Sequence, residues 1–318
     1  MSILTTRNPV LQTLSSAFPV GFTQGYPLVE KESVQQALTH KHIQLWDVRY
    51  VLPNSHETAY ERYLKAHIPN SQFVCLDTDL SVADPQGRPH MMPDAETFAL
   101  CLARIGYEPE KPLILIDEGE GLRSTARVWW MMQSVGLTNV WLLNGGLNHW
   151  KSTYEVASSL PSSQKHTTAS LEVQEKSRTI LNQMDTTLHA HYWCTKEEVK
   201  HRDLNTCAVL DARMPERFYG TVPEPRAGLR AGHIEGSCNV PFHQVYDQET
   251  GQFLSKKALE ALLSPYTNEA TTIITSCGSG VTACSLAVAL RLLDIKRLNN
   301  IVVYDGSWAE YGLVTEAL

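Results

Sequence analysis

Apolar residues in this chain fall into two kinds of run, and the two kinds alternate. Short aliphatic or β-branched stretches such as Leu113-Ile114-Leu115-Ile116 and Thr271-Thr272-Ile273-Ile274 predict strands. Longer segments follow them, and from Val281 to Leu293 the apolar residues at 283, 286, 290 and 293 mark one face of a helix. Ser124 to Val135 is a second amphipathic segment of this type. Strands alternating with such helices predict an α/β fold whose mostly parallel sheet is covered by helices. In sheets of that kind, ligands collect at the carboxyl ends of the strands.

The pattern occurs twice. Gln44-Leu45-Trp46-Asp47-Val48-Arg49, a strand ending in Asp-x-Arg, returns as Ala208-Val209-Leu210-Asp211-Ala212-Arg213. Ala66-His67-Ile68-Pro69-Asn70-Ser71 returns as Gly232-His233-Ile234-Glu235-Gly236-Ser237, and Leu143-Asn144-Gly145-Gly146 as Tyr304-Asp305-Gly306-Ser307. A repeat this long is a duplicated domain rather than a solenoid unit. The predicted organisation is an N-terminal domain over 1–158, a Ser/Thr/Pro-containing linker over about 159–171 and a C-terminal domain over 172–318. Between Leu171 and Leu204 a strand is expected, then a helix capped by Thr195 ahead of Glu197 and Glu198. That helix mirrors Glu30 to Leu38, with Ser33 or a residue just before it as the cap.

Composition narrows the function classes. At 318 residues and 43% apolar content, each half can form its own core. The formal charge of −7 and the lack of a basic cluster argue against nucleic-acid binding, and no run of eighteen apolar residues suggests a membrane span. Seven cysteines without a paired framework fit a reducing compartment. The first thirty residues are poor in acids, as transit peptides are, but they hold one arginine and no continuous apolar core. Cytoplasm is the expected location.

Chemistry concentrates in Thr275-Ser276-Cys277-Gly278-Ser279-Gly280-Val281-Thr282-Ala283, between a predicted strand and a predicted helix. The first N–H groups of a helix lack intrahelical partners and carry the positive end of its dipole, so a cysteine there is expected to have a depressed pKa. Gly278 and Gly280 let the backbone wrap around what Cys277 carries, while Ser279 and Thr282 add hydroxyls without charge. The first half aligns at an offset of 159 residues and places Glu118 opposite Cys277, within Glu118-Gly119-Glu120-Gly121. A carboxylate cannot replace a thiol nucleophile, so the first domain is predicted to be catalytically silent. Cysteine phosphatases share the strand-loop-helix setting, but their C-x5-R pattern would require arginine where Ala283 stands.

The run CGSGVTA resembles the active-site loop of 3-mercaptopyruvate sulfurtransferases, within the rhodanese superfamily. The resemblance covers about residues 28 to 312 and implies two tandem rhodanese-like domains. Thiosulfate-using rhodaneses carry two basic residues after the cysteine, whereas this loop is neutral. An insertion found only in the second half, from Arg217 to Arg230, resembles the family segment in which two arginines nine residues apart bind the substrate's carboxylate and keto groups. By that match they are Arg217 and Arg226, with Arg230 the alternative if the register differs, while Arg213 is expected to partner Asp211 or a neighbouring carboxylate. The resemblance also implies a histidine facing Ser279 in a Ser-His-carboxylate relay, assigned here to His67 with Asp47 as candidate acid.

The expected substrate site is therefore Arg217, Arg226, Gly278, Gly280, Val281 and Thr282 around Cys277, Ser279 and His67. The expected activity takes sulfur from a small anionic donor, 3-mercaptopyruvate, to cyanide or to a thiol such as thioredoxin or a low-molecular-weight thiol. Thiosulfate as donor and a non-catalytic binding module are the alternatives. No metal or organic cofactor is implied. His189, His191 and Cys194 lack a fourth ligand at zinc-site spacing, and the calcium-loop-like Asp77-Thr78-Asp79 run has Val82 where glycine is needed.

Overall fold

A computed structural model describes residues 21–23, 25–39, 43–51, 55–119, 123–158, 170–295, 298 and 300–314. Residues 1–20, most of the expected linker (159–169) and Glu120-Gly121 lie outside the described residues.

The first half runs β1 (Leu28–Val29), α1 (Lys31–Thr39), β2 (Gln44–Asp47), α2 (Ala59–Lys65), β3 (Gln72–Phe73), α3 (Leu76–Asp79), α4 (Ala95–Arg104), β4 (Leu113–Ile116), α5 (Arg123–Ser134), β5 (Val140–Leu143) and α6 (Gly146–Trp150). The second runs α7 (Leu171–Leu181), β6 (Trp193–Cys194), α8 (Lys196–Lys200), β7 (Cys207–Asp211), α9 (Pro215–Phe218), β8 (Ser237–Asn239), α10 (Lys256–Thr267), β9 (Thr272–Ser276), α11 (Ala283–Leu293), β10 (Asn300–Tyr304) and α12 (Ser307–Tyr311). The sheets have the orders β1-β5-β4-β2-β3 and β6-β10-β9-β7-β8, every pairing parallel, so the duplication extends to topology. β9 is the central strand of the second sheet, and Cys277 follows it at the carboxyl edge.

Several local expectations meet a different structure. The segment from Leu171 forms α7 before the short β6, and α7 packs on α4 of the first half rather than on the second sheet. Only Val173 and Ile180 are buried along it, a pattern too sparse to announce a helix. Helix α1 begins at Lys31, which places Ser33 within its first turn instead of at its cap. Thr195 does close a capping box with Glu198 ahead of α8. Among the described residues no helix is long and apolar enough to cross a membrane.

The largest hydrophobic cluster crosses between the halves, joining residues of α5 such as Val128 and Trp130 with Leu286 and Leu290 of α11. Polar ties reinforce this packing. Arg127 of α5 is 0% exposed, pairs with Asp305 at 2.7 Å, and donates to the carbonyls of His90 and, at 3.4 Å, of Gly280 in the cysteine loop. Asp305 also accepts from Met92 N at 2.8 Å, and Arg88 reaches Glu310 at 2.5 Å. The first half therefore holds the cysteine loop of the second from beneath. Removing one partner of a buried ion pair strands the other, so Arg127→Ala is expected to cost about 3–5 kcal/mol, read as a shift in equilibrium urea unfolding.

Candidate active site

Cys277 is 2% exposed, at the point where β9 gives way to the loop leading into α11. Its carbonyl accepts from Trp308 N at 3.0 Å and that of Gly278 from Ala309 N at 2.9 Å, while Cys277 N donates to Ser307 Oγ at 3.2 Å. The loop's carbonyls are thus turned onto the first turn of α12. Among the described residues no acceptor takes the backbone N–H groups of Gly278 through Thr282, which leaves that run, with Val281 in it, free to stabilise an anion on the cysteine.

Gly280 is sterically required, whereas at Gly278 a side chain would displace the mobile end of an arginine. At Gly278 a Cβ would stand 2.8 Å from Arg217 Nη2, and Gly280 has φ +76° with a Cβ position 2.8 Å from the Asp305 carbonyl. The approach at Gly278 fixes the position of Arg217, whose guanidinium lies directly against the cysteine loop. Glu224, itself 1% exposed, accepts from Arg217 Nη2 at 2.6 Å and from Arg213 Nη1 at 2.9 Å. Arg213 clamps Asp211 at the end of β7, at 2.8 Å, and stacks over Trp308. Arg230 covers Trp308 and Tyr311, at 4.6 and 5.7 Å from their ring centroids, so it is committed to packing. Half-buried Arg226 makes no hydrogen bond or ion pair among the described residues. That leaves a guanidinium for an incoming anion.

The relay histidine is corrected by the structure. His67 does not meet Ser279: its Nδ1 lies 2.9 Å from Tyr63 O, its ring stacks on Tyr63 at 4.2 Å, and its backbone pairs with Ala157. His233 does the same on Phe218 in the second half, with 3.0 and 4.0 Å for the two contacts. These histidines close equivalent turns. Asp47 is likewise occupied, its carboxylate gripped by Arg49 at 2.6 and 2.8 Å.

The partner of Ser279 is His90, with Nδ1 3.1 Å from Ser279 Oγ and Nε2 2.6 Å from Asp77 Oδ1. Asp77 accepts from Nε2–H, which leaves Nδ1 as the acceptor for the serine hydroxyl in the neutral imidazole. His90 is buried and holds φ +61°, with its carbonyl fixed by Arg127 and its ring edge-on to Tyr50. Strain of this kind persists where the surroundings over-determine it. His90 follows the Asp84–Gly87 turn, and although the second half has a comparable turn from Asp247 to Gly251, with both glycines at φ +70°, no histidine follows it there, so the repeat gives no hint of His90.

Cys284, the second residue of α11, is fully buried and donates to Gly280 O at 3.2 Å. Burial pushes its thiol up to about 12, against an opposing pull from Arg127.

The Rhodanese-like domain family matches residues 30–153 and 195–313. The 3-mercaptopyruvate sulfurtransferase of Escherichia coli (strain K12) is 34% identical over 85% of this chain and 89% of that protein. Thiosulfate/3-mercaptopyruvate sulfurtransferase 1, mitochondrial, from Arabidopsis thaliana is 32% identical over 90% of this chain and 76% of that protein. Among solved structures, SseA from Escherichia coli superposes with a TM-score of 0.66 and 29% identity over 89% of this chain and 99% of its own.

Because the reactive form of cysteine is the thiolate, a pKa of about 12 keeps Cys284 protonated at neutral pH. In the native protein at pH 8, iodoacetamide is expected to leave Cys284 unmodified while exposed Cys238 reacts, with peptide mass spectrometry as the check. Alkylation of Cys284 at the rate of Cys238 would contradict its placement.

Proposed function

This chain belongs to the rhodanese family, with two copies of the domain in tandem, and we propose that it moves sulfur from 3-mercaptopyruvate to a thiol or cyanide acceptor through a persulfide on Cys277. The carrying observation is the placement of Arg217 against Gly278, beside a loop with no charged residue, and with Arg226 uncommitted. A small keto acid presents a carboxylate that a planar guanidinium grips with two parallel hydrogen bonds.

The Cys277 thiolate attacks the donor's sulfur, an S–S bond forms and the C–S bond breaks. The bonding pair leaves with carbon as the enolate of pyruvate, which takes up a proton, and the enzyme keeps the persulfide. An acceptor thiolate, small or on a protein such as thioredoxin, then attacks the outer sulfur and returns Cys277 as a thiolate. Charge that grows on the departing enolate needs a proton source. With His90 protonated, Nδ1–H donates to Ser279 Oγ and frees the hydroxyl proton for the leaving group, while Asp77 holds the imidazolium in place. In the first half Glu118 fills the position of the nucleophile and is ion-paired to Arg62 at 2.9 Å, so that half supplies no nucleophile of its own.

Thiosulfate is the second reading, since the relative from Arabidopsis thaliana is named for both donors. The uncharged residues at 278 and 279 count against it. Side-by-side kcat/KM for the two donors decides: 3-mercaptopyruvate is expected to win, Cys277→Ser to be inactive with both, and Arg226→Ala to lose about 10²-fold with 3-mercaptopyruvate. A preference for thiosulfate, or an unaffected Arg226→Ala, overturns the assignment. For the relay, His90→Ala is expected to lower kcat about 10²-fold or more with KM nearly unchanged, while folded His67→Ala keeps its kcat.

A further inference from the structure

The two halves solve one electrostatic problem with carboxylates drawn from different places. In the first, Glu118 bridges Arg49 and Arg62, at 3.4 and 2.9 Å. In the second, Glu224 bridges Arg213 and Arg217, at 2.9 and 2.6 Å. The arginines correspond one to one. Arg49 and Arg213 each clamp the aspartate two residues earlier and donate to the carbonyl of Ala66 or Gly232, at 2.8 and 2.9 Å. Arg62 and Arg217 each precede the aromatic ring, Tyr63 or Phe218, on which the turn histidine stacks. Only the carboxylate has moved: Glu118 sits at the loop position of the nucleophile, whereas Glu224 comes from the insertion that the first half lacks. The second half keeps the bridge and frees the loop for a thiol.

Resting on the sulfurtransferase reading, we propose that Glu224 is a positioning residue that determines donor specificity by matching the site's charge to a monoanion. The carboxylates of Asp211 and Glu224 cancel the guanidinium groups of Arg213 and Arg217, and the Arg127–Asp305 pair beneath the loop also cancels. Among the described residues Arg226 makes no ion pair and Arg230 is stacked over Trp308 and Tyr311, while Asp77 across the site is half exposed and screened by solvent. With Arg217 neutralised, the guanidinium that lies against the loop offers no net charge to balance the second negative charge of a dianionic donor in a poorly solvated site. Glu224 also shares the Nη2 group of Arg217 that lies against Gly278, which aims that guanidinium along the loop.

The test is Glu224→Gln, which keeps the shape of the side chain and removes its charge. The ratio of kcat/KM for thiosulfate to kcat/KM for 3-mercaptopyruvate is expected to rise about tenfold or more. Glu224→Asp, which keeps the charge, is expected to hold the ratio near that of the wild type. A purely structural role would depress both donors together, so a flat ratio in Glu224→Gln, or an equal shift in Glu224→Asp, overturns the proposal. Should the glutamine variant fail to fold, the wild type still answers through competitive inhibition. Pyruvate is expected to inhibit at lower concentration than sulfate, and the reverse order refutes the charge matching. A wild-type preference for thiosulfate would instead bring down the functional reading, so the two failures are separable.

Discussion

The guanidinium of Arg127 has no solvent exposure, so its charge depends on buried acceptors, and it draws them from both halves. It bonds the carbonyl of His90, the carbonyl of Gly280 and the carboxylate of Asp305, so one side chain of α5 ties together the relay histidine, the cysteine loop and the start of α12. Leaving such a charge unpaired in a dry interior costs several kcal/mol, which makes these positions mutually dependent. The first half thereby contributes to the site without a nucleophile of its own: it supplies His90 and Asp77 and holds the loop on which Cys277 is mounted.

Duplication explains the economy of the arrangement. Each half ends β2 or β7 in Asp-x-Arg, and each buries that arginine between its aspartate and a second carboxylate. In the first half the second carboxylate occupies the loop at the carboxyl edge of the sheet. In the second half the 217–230 insertion carries it instead, and the loop position is held by Cys277, followed by N–H groups from Gly278 to Thr282 that take no acceptor among the described residues. Nucleophile and anion-binding arginines thus come from separate segments, each anchored to the same sheet.

Much of this was legible in the sequence because its signals are local. The repeated Asp-x-Arg strands, the Thr195 capping box and the Cys-Gly-Ser-Gly turn each depend on a few adjacent residues whose geometry follows from backbone preference. The pairing of Arg213 with Asp211 is of the same kind. Ser279 and His90 meet across the boundary between the halves, 189 residues apart, and no periodicity encodes that meeting. The family resemblance points to His67, but the second half repeats it as His233 in the same turn-closing contact, and a repeated residue is a poor candidate for a function only one half performs. Asp77 was hidden inside a run that imitates a calcium loop. Helix α7 escaped notice because its buried face is completed by α4 of the first half rather than by its own neighbours.

The central claim is that sulfur passes through Cys277 as a persulfide. Its most direct test is mass spectrometry of the protein incubated with 3-mercaptopyruvate and no acceptor, with pyruvate measured in parallel. The account predicts a single added sulfur atom on the peptide containing Cys277, one pyruvate released per chain, and loss of the added sulfur when a thiol acceptor follows. Pyruvate release without added sulfur, or added sulfur on Cys238 or Cys284 instead, would contradict it.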